Sequence, residues 1–521
     1  MPARLLVLSI DAASPALLER WCAAGELPTI AQLLGRGAVA PTKGIEGLFV
    51  GATWPSFSAG VGPGRHGIHN LAQLPPGRLE YESISAWPER VEPFWVTASR
   101  AGRRVAVLDA PLSRIAEGLN GVQTVEWGSH DSLYGFHASP PLLESEIEAS
   151  FGLHPQTGSC DAVRTTAADY ERFVRRLSDG ASIKGELTQR ILARDDWDLL
   201  FQVFTEGHCA GHQCWHLHDP AHPAHDPEIA ASVGDPLLRV YRAVDAAIAE
   251  LVAAAPDATV VLFTAHDMSY FYGAQLLLPE ILFRLGVAQP TGEAARRRSS
   301  WWETARTGWH TLPQPVRARL LAAGRSMSRP DRSLPVHAAD PRRSLCFPVA
   351  NGLAVGGIRL NLAGREPNGR LTPAEADGFA EELAADLLDV VDPDSGRPLV
   401  GRVARTAELF DGPALDLLPD ILVEWNDNGP TPNSATGPAE GAVVAARSPK
   451  IGHISTLNAW PRTGEHRPDG LVAAVGPGVQ PARLPGQSLL DVAPTILTLL
   501  GVEPSAMDGR PIDGFGPALQ G

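Results

Sequence analysis

Cysteine is scarce. The 521 residues hold five, Cys22, Cys160, Cys209, Cys214 and Cys346, odd in number and scattered. That argues against a disulfide framework and suits free, mostly buried thiols in a reducing, cytoplasmic setting. Cys209 and Cys214 stand among histidines, but their spacing fits no usual zinc knuckle. Long apolar runs are missing too, and none approaches the length of a membrane span. The N-terminal run Leu5–Ile10 is short and lacks a cleavage pattern, so it reads as a buried strand and not as a signal peptide. Basic charge is in deficit: 44 Lys and Arg against 59 Asp and Glu give a formal net charge of −15. A nonspecific nucleic-acid binder is thereby disfavoured. Internal repeats and long low-complexity tracts are absent.

What is present is an ordinary globular composition, 44% hydrophobic and 20% charged, on a chain long enough for one large core or two smaller ones. Leu5–Ile10 is a continuous apolar run, as a parallel strand covered on both faces requires. Val105–Leu108, Leu199–Phe204, Thr259–Thr264, Asp420–Glu424 and Leu471–Val475 are similar. Helical patterns cover Pro15–Ala24 and Leu27–Leu34, closed by Gly35 and Gly37. Pro373–Val391 is an amphipathic helix with Thr372 as N-cap and Pro373 at its first position. Strands alternating with helices predict an α/β fold with a mainly parallel sheet.

Several apolar runs end in metal-ligand residue types. Asp11 follows Leu5–Ile10, His212 closes Thr205-Glu-Gly-His-Cys-Ala-Gly-His212, and His266-Asp267 follows Val260–Ala265. His466 lies in Thr463-Gly-Glu-His466, just before another apolar run. A further segment, Ala52–Ile68, places the hydroxyl of Thr53 in a Gly/Pro-rich turn. Carboxylate, imidazole and hydroxyl gathered at strand ends can hold metal ions beside a nucleophile.

These segments resemble the alkaline phosphatase superfamily, in its type I phosphodiesterase/nucleotide pyrophosphatase branch. The resemblance is carried by Asp11, by Thr53-Trp-Pro-Ser56, by Gly62-Pro-Gly-Arg-His-Gly-Ile68, by His466-Arg-Pro-Asp-Gly470 with Gly476-Pro-Gly478, and by Asp491–Leu497 with Met507–Arg510. It implies a three-layer αβα fold with a smaller inserted cap: residues 1–285 and 346–521 form the catalytic core and 286–345 the cap. That middle segment is basic and tryptophan-bearing, with Arg296–Arg298, Trp301, Trp302 and Trp309. It reads either as a solvated helical surface or as a lid whose arginines attract an anion.

The resemblance also implies chemistry. A small anionic phosphoester, diester or monoester, is hydrolysed through a covalent phosphothreonine on Thr53, with two divalent ions roughly 4 Å apart. Zinc is expected, with manganese or another transition metal as the alternative, because imidazole-rich ligation favours late first-row metals. Neither nucleic acid nor membrane is expected as a partner. The implied metal ligands are Asp11, Thr53, His212, His266 and His466, and Asn70 is a candidate contact to a phosphoryl oxygen. Two family carboxylates are missing: His208 stands four residues before His212, and Ala265 stands before His266. His208 is expected to ligate the ion shared with His212 and His466, and Asp267 or Glu206 to supply the carboxylate for the ion at Asp11, Thr53 and His266. A sulfatase-like or phosphonate hydrolase of the same superfamily, or a noncatalytic ligand-binding relative, are the competing readings.

Overall fold

The computed structural model describes residues 5–129, 132–156, 159–291, 316, 339–434 and 440–516. At its centre is a mixed, mostly parallel sheet. From one edge its strands are Ala482–Arg483, Ala38–Lys43, Asp469–Val475, Thr259–Thr264, Leu5–Ile10, Leu199–Phe204, Val105–Leu108, Gly121–Val125 and His137–Ser139, with Gln487–Ser488 also paired to Ala38–Lys43. Leu5–Ile10 lies in the middle and pairs in parallel on both sides, Leu5 opposite Leu199 and Thr259.

Side chains alternate across the sheet. Leu6, Leu8 and Ile10 enter one core, with residues of the helices Ala167–Leu192, Glu206–His218 and Pro236–Ala254. Leu5 and Val7 enter the other, with Trp54, Phe57, Phe94, Trp95 and Ile496. Helices thus cover both faces, and the αβα layering follows from a mostly apolar strand that is buried at every position.

The strand Ile421–Trp425 is as apolar as the others but joins a separate sheet. That sheet has four antiparallel strands in the order Cys346–Val349, Val355–Leu360, Ile421–Trp425, Val400–Arg405. A short apolar run does not specify its partners. The helix Pro373–Leu388 shares a core with this sheet and starts on a capping box of Thr372 and Glu375. The helix Pro28–Arg36 runs through Gly35, and Gly37 beyond it is extended, not left-handed. A Cβ on Gly37 would lie 2.5 Å from the Ala474 carbonyl oxygen. Close approach of a strand, and not a helix cap, therefore requires glycine there.

Most of the basic stretch of 286–345, namely 292–315 and 317–338, lies outside the described residues. Among the described residues no helix is long and apolar enough to cross a membrane.

Strand direction positions the site. Asp469–Val475 is antiparallel to Thr259–Thr264, with Leu471 opposite Thr264. Its N-terminal end therefore meets the C-terminal ends of the parallel strands. Ala38–Lys43, antiparallel to Asp469–Val475, ends at the same edge and leads on to Thr53. Segments carrying Asp11, Thr53, His208, His266 and His466 all leave the sheet at this edge, where open α/β sheets bind their ligands.

Candidate active site

Asp11 is the first residue past its strand, and its backbone N–H still donates to the Phe204 carbonyl at 2.9 Å. Ala12 then turns the chain with φ of 52°, a left-handed conformation uncommon for a non-glycine residue. The Asp11 side chain is only 2% exposed, and a buried carboxylate requires partners. Oδ1 accepts the Trp54 indole N–H at 3.1 Å and lies 3.5 Å from His266 Nε2. Oδ2 faces His208 Nδ1 at 2.5 Å.

Past Phe204 the strand gives way to the helix Glu206–His218, so strand alternation does not reach Glu206 or His208. Four-residue spacing puts His208 and His212 on one helix face. Their Nε2 atoms are 2.9 Å apart. His212 Nδ1 lies 2.8 Å from the Gly464 carbonyl oxygen. A carbonyl only accepts, so Nδ1 holds the proton and Nε2 a lone pair. His208 Nδ1 donating to the Asp11 carboxylate leaves its Nε2 in the same state. Two such lone pairs repel unless a cation, a proton or a metal ion, lies between them.

His466 completes the group. The ligand atoms of His208, His212 and His466 all lie within 4.8 Å of one another. The antiparallel pair Asp267–Tyr270 and Gly464–Arg467, with Met268 opposite His466, brings His266 alongside. The Nδ1 atoms of His266 and His466 are 3.1 Å apart. Burial, reinforced by the neighbouring imidazoles, holds His466 well below the ordinary histidine range. Neutral imidazole is the metal-ligating form.

Thr53 begins the helix Thr53–Ala59 and is fully buried. Its hydroxyl donates to the Phe49 carbonyl at 2.5 Å, turned back along the chain, while the neighbouring Trp54 faces the cleft. Gly51 permits this crowding: a Cβ there would lie 2.0 Å from the His69 carbonyl oxygen. Asn70 lines the cleft, its Oδ1 accepting the Leu71 N–H at 2.7 Å.

Glu206 and Asp267 do not line the cleft. Glu206 Oε1 lies 3.1 Å from both Lys184 Nζ and His154 Nε2. Burial pushes its carboxyl up, but Lys184 and His154 outweigh burial and hold it low. Two residues along a helix is about 200° around its axis, which turns Glu206 away from the face of His208. Asp267 Oδ1 accepts the Met268 N–H at 2.6 Å, and burial pushes its carboxyl up to about 6.

Other polar residues near the core are structural in their contacts. His66 bonds Ser56 at 2.9 Å. Arg359 pairs with Glu366 at 2.6 Å, and Arg365 with Asp420 at 2.6 Å. His216 and His222, in the histidine-rich stretch after His212, are buried.

Sequence reasoning missed Arg462 and Asp161, which both line the cleft. Arg462 Nε and Nη2 lie 2.7 and 3.1 Å from the two oxygens of Asp161, 301 residues away in the chain. Its Nη1 is 3.3 Å from His212 Nε2. The one available signal was a basic residue four positions before His466.

An open, mostly parallel sheet between helix layers, with a buried carboxylate and four histidines at its C-terminal edge, defines a three-layer αβα protein with an imidazole-rich centre. The sequence profile of the type I phosphodiesterase / nucleotide pyrophosphatase family matches residues 5–276, more than half of the chain, and the protein belongs to that family. No curated protein matches the chain. Similar solved structures include inactive murine ectonucleotide pyrophosphatase / phosphodiesterase 5 in complex with AMP, 11% identical with a TM-score of 0.46, covering 98% of this chain and 97% of that one. Another is phosphonoacetate hydrolase from Sinorhizobium meliloti 1021 in complex with phosphonoformate, 13% identical with a TM-score of 0.48, covering 96% of each chain.

Proposed function

We propose that the protein hydrolyses a phosphoester in this cleft, with a divalent transition metal held by His208, His212 and His466 and with Thr53 as the nucleophile. Family membership supports the reaction class. One observation carries the site: His208 and His212 bring their Nε2 atoms within 2.9 Å of each other, each ring oriented through Nδ1, by Asp11 and by the Gly464 carbonyl. Histidines backed in this way by a carboxylate or a carbonyl are the usual form of metal-bound histidine. Three imidazoles suit zinc over magnesium. Such an ion, when bound, supplies positive charge to phosphoryl oxygens and lowers the pKa of a ligated oxygen.

The chain's own residues do the remaining work. Asp11 fixes the His208 tautomer and the Trp54 indole. Thr53 exchanges its bond to Phe49 for the cleft by a side-chain rotation between staggered positions. The contacts favour one tightly held ion over two. Asp11 is already engaged by Trp54 and His208, and the other carboxylate lining the cleft, Asp161, is engaged by Arg462.

A second reading, a relative that binds a phosphoester without turning it over, draws on the buried Thr53 hydroxyl and its bond to Phe49. An acid quench during turnover of p-nitrophenyl phosphate, with bis(p-nitrophenyl) phosphate run in parallel, separates the two. We expect a phosphoryl adduct on the Thr53 peptide, about one zinc per chain, and a loss of at least about 10³-fold in kcat for Thr53→Ala. Activity retained in Thr53→Ala sinks the nucleophile assignment. Full metal content without turnover favours the binding relative.

A further inference from the structure

Arg462 is the charged side chain of the cleft held in the most defined way. Its Nε and Nη2 sit on the Asp161 carboxylate as a fork at 2.7 and 3.1 Å, a geometry that fixes the guanidinium plane. The remaining nitrogen, Nη1, lies 3.3 Å from His212 Nε2 and 3.6 Å from Glu465 Oε2. The side chain is 12% exposed, shielded from bulk water yet facing the cleft. Burial works against its charge, but Asp161 and Glu465 outweigh burial and keep it protonated.

The geometry points to Arg462 as a contact to a phosphoryl oxygen that selects a doubly charged terminal phosphoryl group, as in a phosphomonoester or phosphonate, over a singly charged diester. This inference rests on the phosphoester reading above. An anion centred on His208, His212 and His466 brings an oxygen within reach of Nη1, because Nη1 already touches a ligand atom of that centre. A terminal phosphoryl oxygen presents a full acceptor there. A diester has two nonbridging oxygens that share one charge, so the one that reaches Nη1 is a less charged acceptor than a terminal phosphoryl oxygen, of which three share two charges.

The test is calorimetric binding of inorganic phosphate and of dimethyl phosphate to the zinc-loaded full chain at about pH 8, where phosphate is mostly doubly charged. Wild type is expected to bind phosphate at least about tenfold more tightly. In Arg462→Ala the phosphate affinity falls by roughly 30-fold or more, and by at least about ten times the factor lost for dimethyl phosphate. Arg462→Lys, which keeps the charge and loses the fork, falls between. The pair Asp161→Asn/Arg462→Ala removes both charges, so it strands no Asp161 carboxylate, and it reproduces the loss if Arg462→Ala folds poorly. Equal losses for the two ligands, or equal affinities in wild type, overturn the inference. Absence of turnover with this binding pattern intact overturns the hydrolase reading alone, and no phosphate binding by wild type overturns both.

Discussion

His208 Nδ1 lies 2.5 Å from Asp11 Oδ2, and this contact decides which nitrogen of His208 faces the cleft. A carboxylate holds the proton on Nδ1 and so keeps Nε2 as a lone pair. In a carboxamide variant that preference is lost.

Asp11→Asn is therefore expected to keep its fold and to lose about 10–100-fold in zinc affinity. Competition against a chromophoric chelator measures it. An unchanged affinity rejects the orienting role, and loss of one of two bound ions makes Asp11 a direct ligand instead.

Lys184 and Glu206, both buried, form an ion pair at 3.1 Å behind the helix that carries His208 and His212. Lys184 Nζ also donates to Thr205 Oγ1 at 3.0 Å. Lys184→Met takes the lysine cation from the buried Glu206 carboxylate, which keeps His154 at 3.1 Å, and is expected to cost roughly 3–5 kcal/mol in urea unfolding, with much of it regained in Lys184→Met/Glu206→Leu. Because Glu206 faces this lysine, Glu206→Gln is expected to keep its full metal content, as is Asp267→Asn. Reduced occupancy in either variant would return that carboxylate to the ligand set.

His66 sets an acid limit. It accepts the Ile68 N–H through Nδ1 at 3.0 Å and bonds Ser56 Oγ through Nε2 at 2.9 Å, which specifies the neutral ring. Burial pushes its pKa down to about 3 from the ordinary 6.5. The folded value lies below the unfolded one, so this stability is fully present above about pH 6.5 and is lost as pH falls towards 3. Between pH 7 and pH 5 the loss is about 2 kcal/mol. Urea unfolding at the two pH values is expected to show a correspondingly smaller drop in His66→Asn. Equal drops in both proteins rule this out.

Much of the architecture was legible because burial on both faces leaves a near-continuous apolar run. Leu5–Ile10, Leu199–Phe204 and Thr259–Thr264 read as strands and are strands with those bounds. Asp420–Glu424 shows the limit: its apolar run is real, but strand pairing is long-range, and it joins the separate antiparallel sheet. The carboxylates show another limit. Glu206 and Asp267 lie next to the histidines in sequence, yet a helix turns one towards Lys184, and the cleft lining includes neither.

By itself the sequence determined the layering, through near-continuous apolar runs, and singled out the imidazoles, through the family resemblance and the four-residue spacing of His208 and His212. Tertiary structure alone decided the rest. An antiparallel strand at Asp469–Val475 delivers His466 to the C-terminal edge of parallel strands, and Asp161 meets Arg462 across 301 residues. Local propensity is written into neighbouring residues, whereas strand order and the partner of a buried charge depend on which distant surfaces exclude water together.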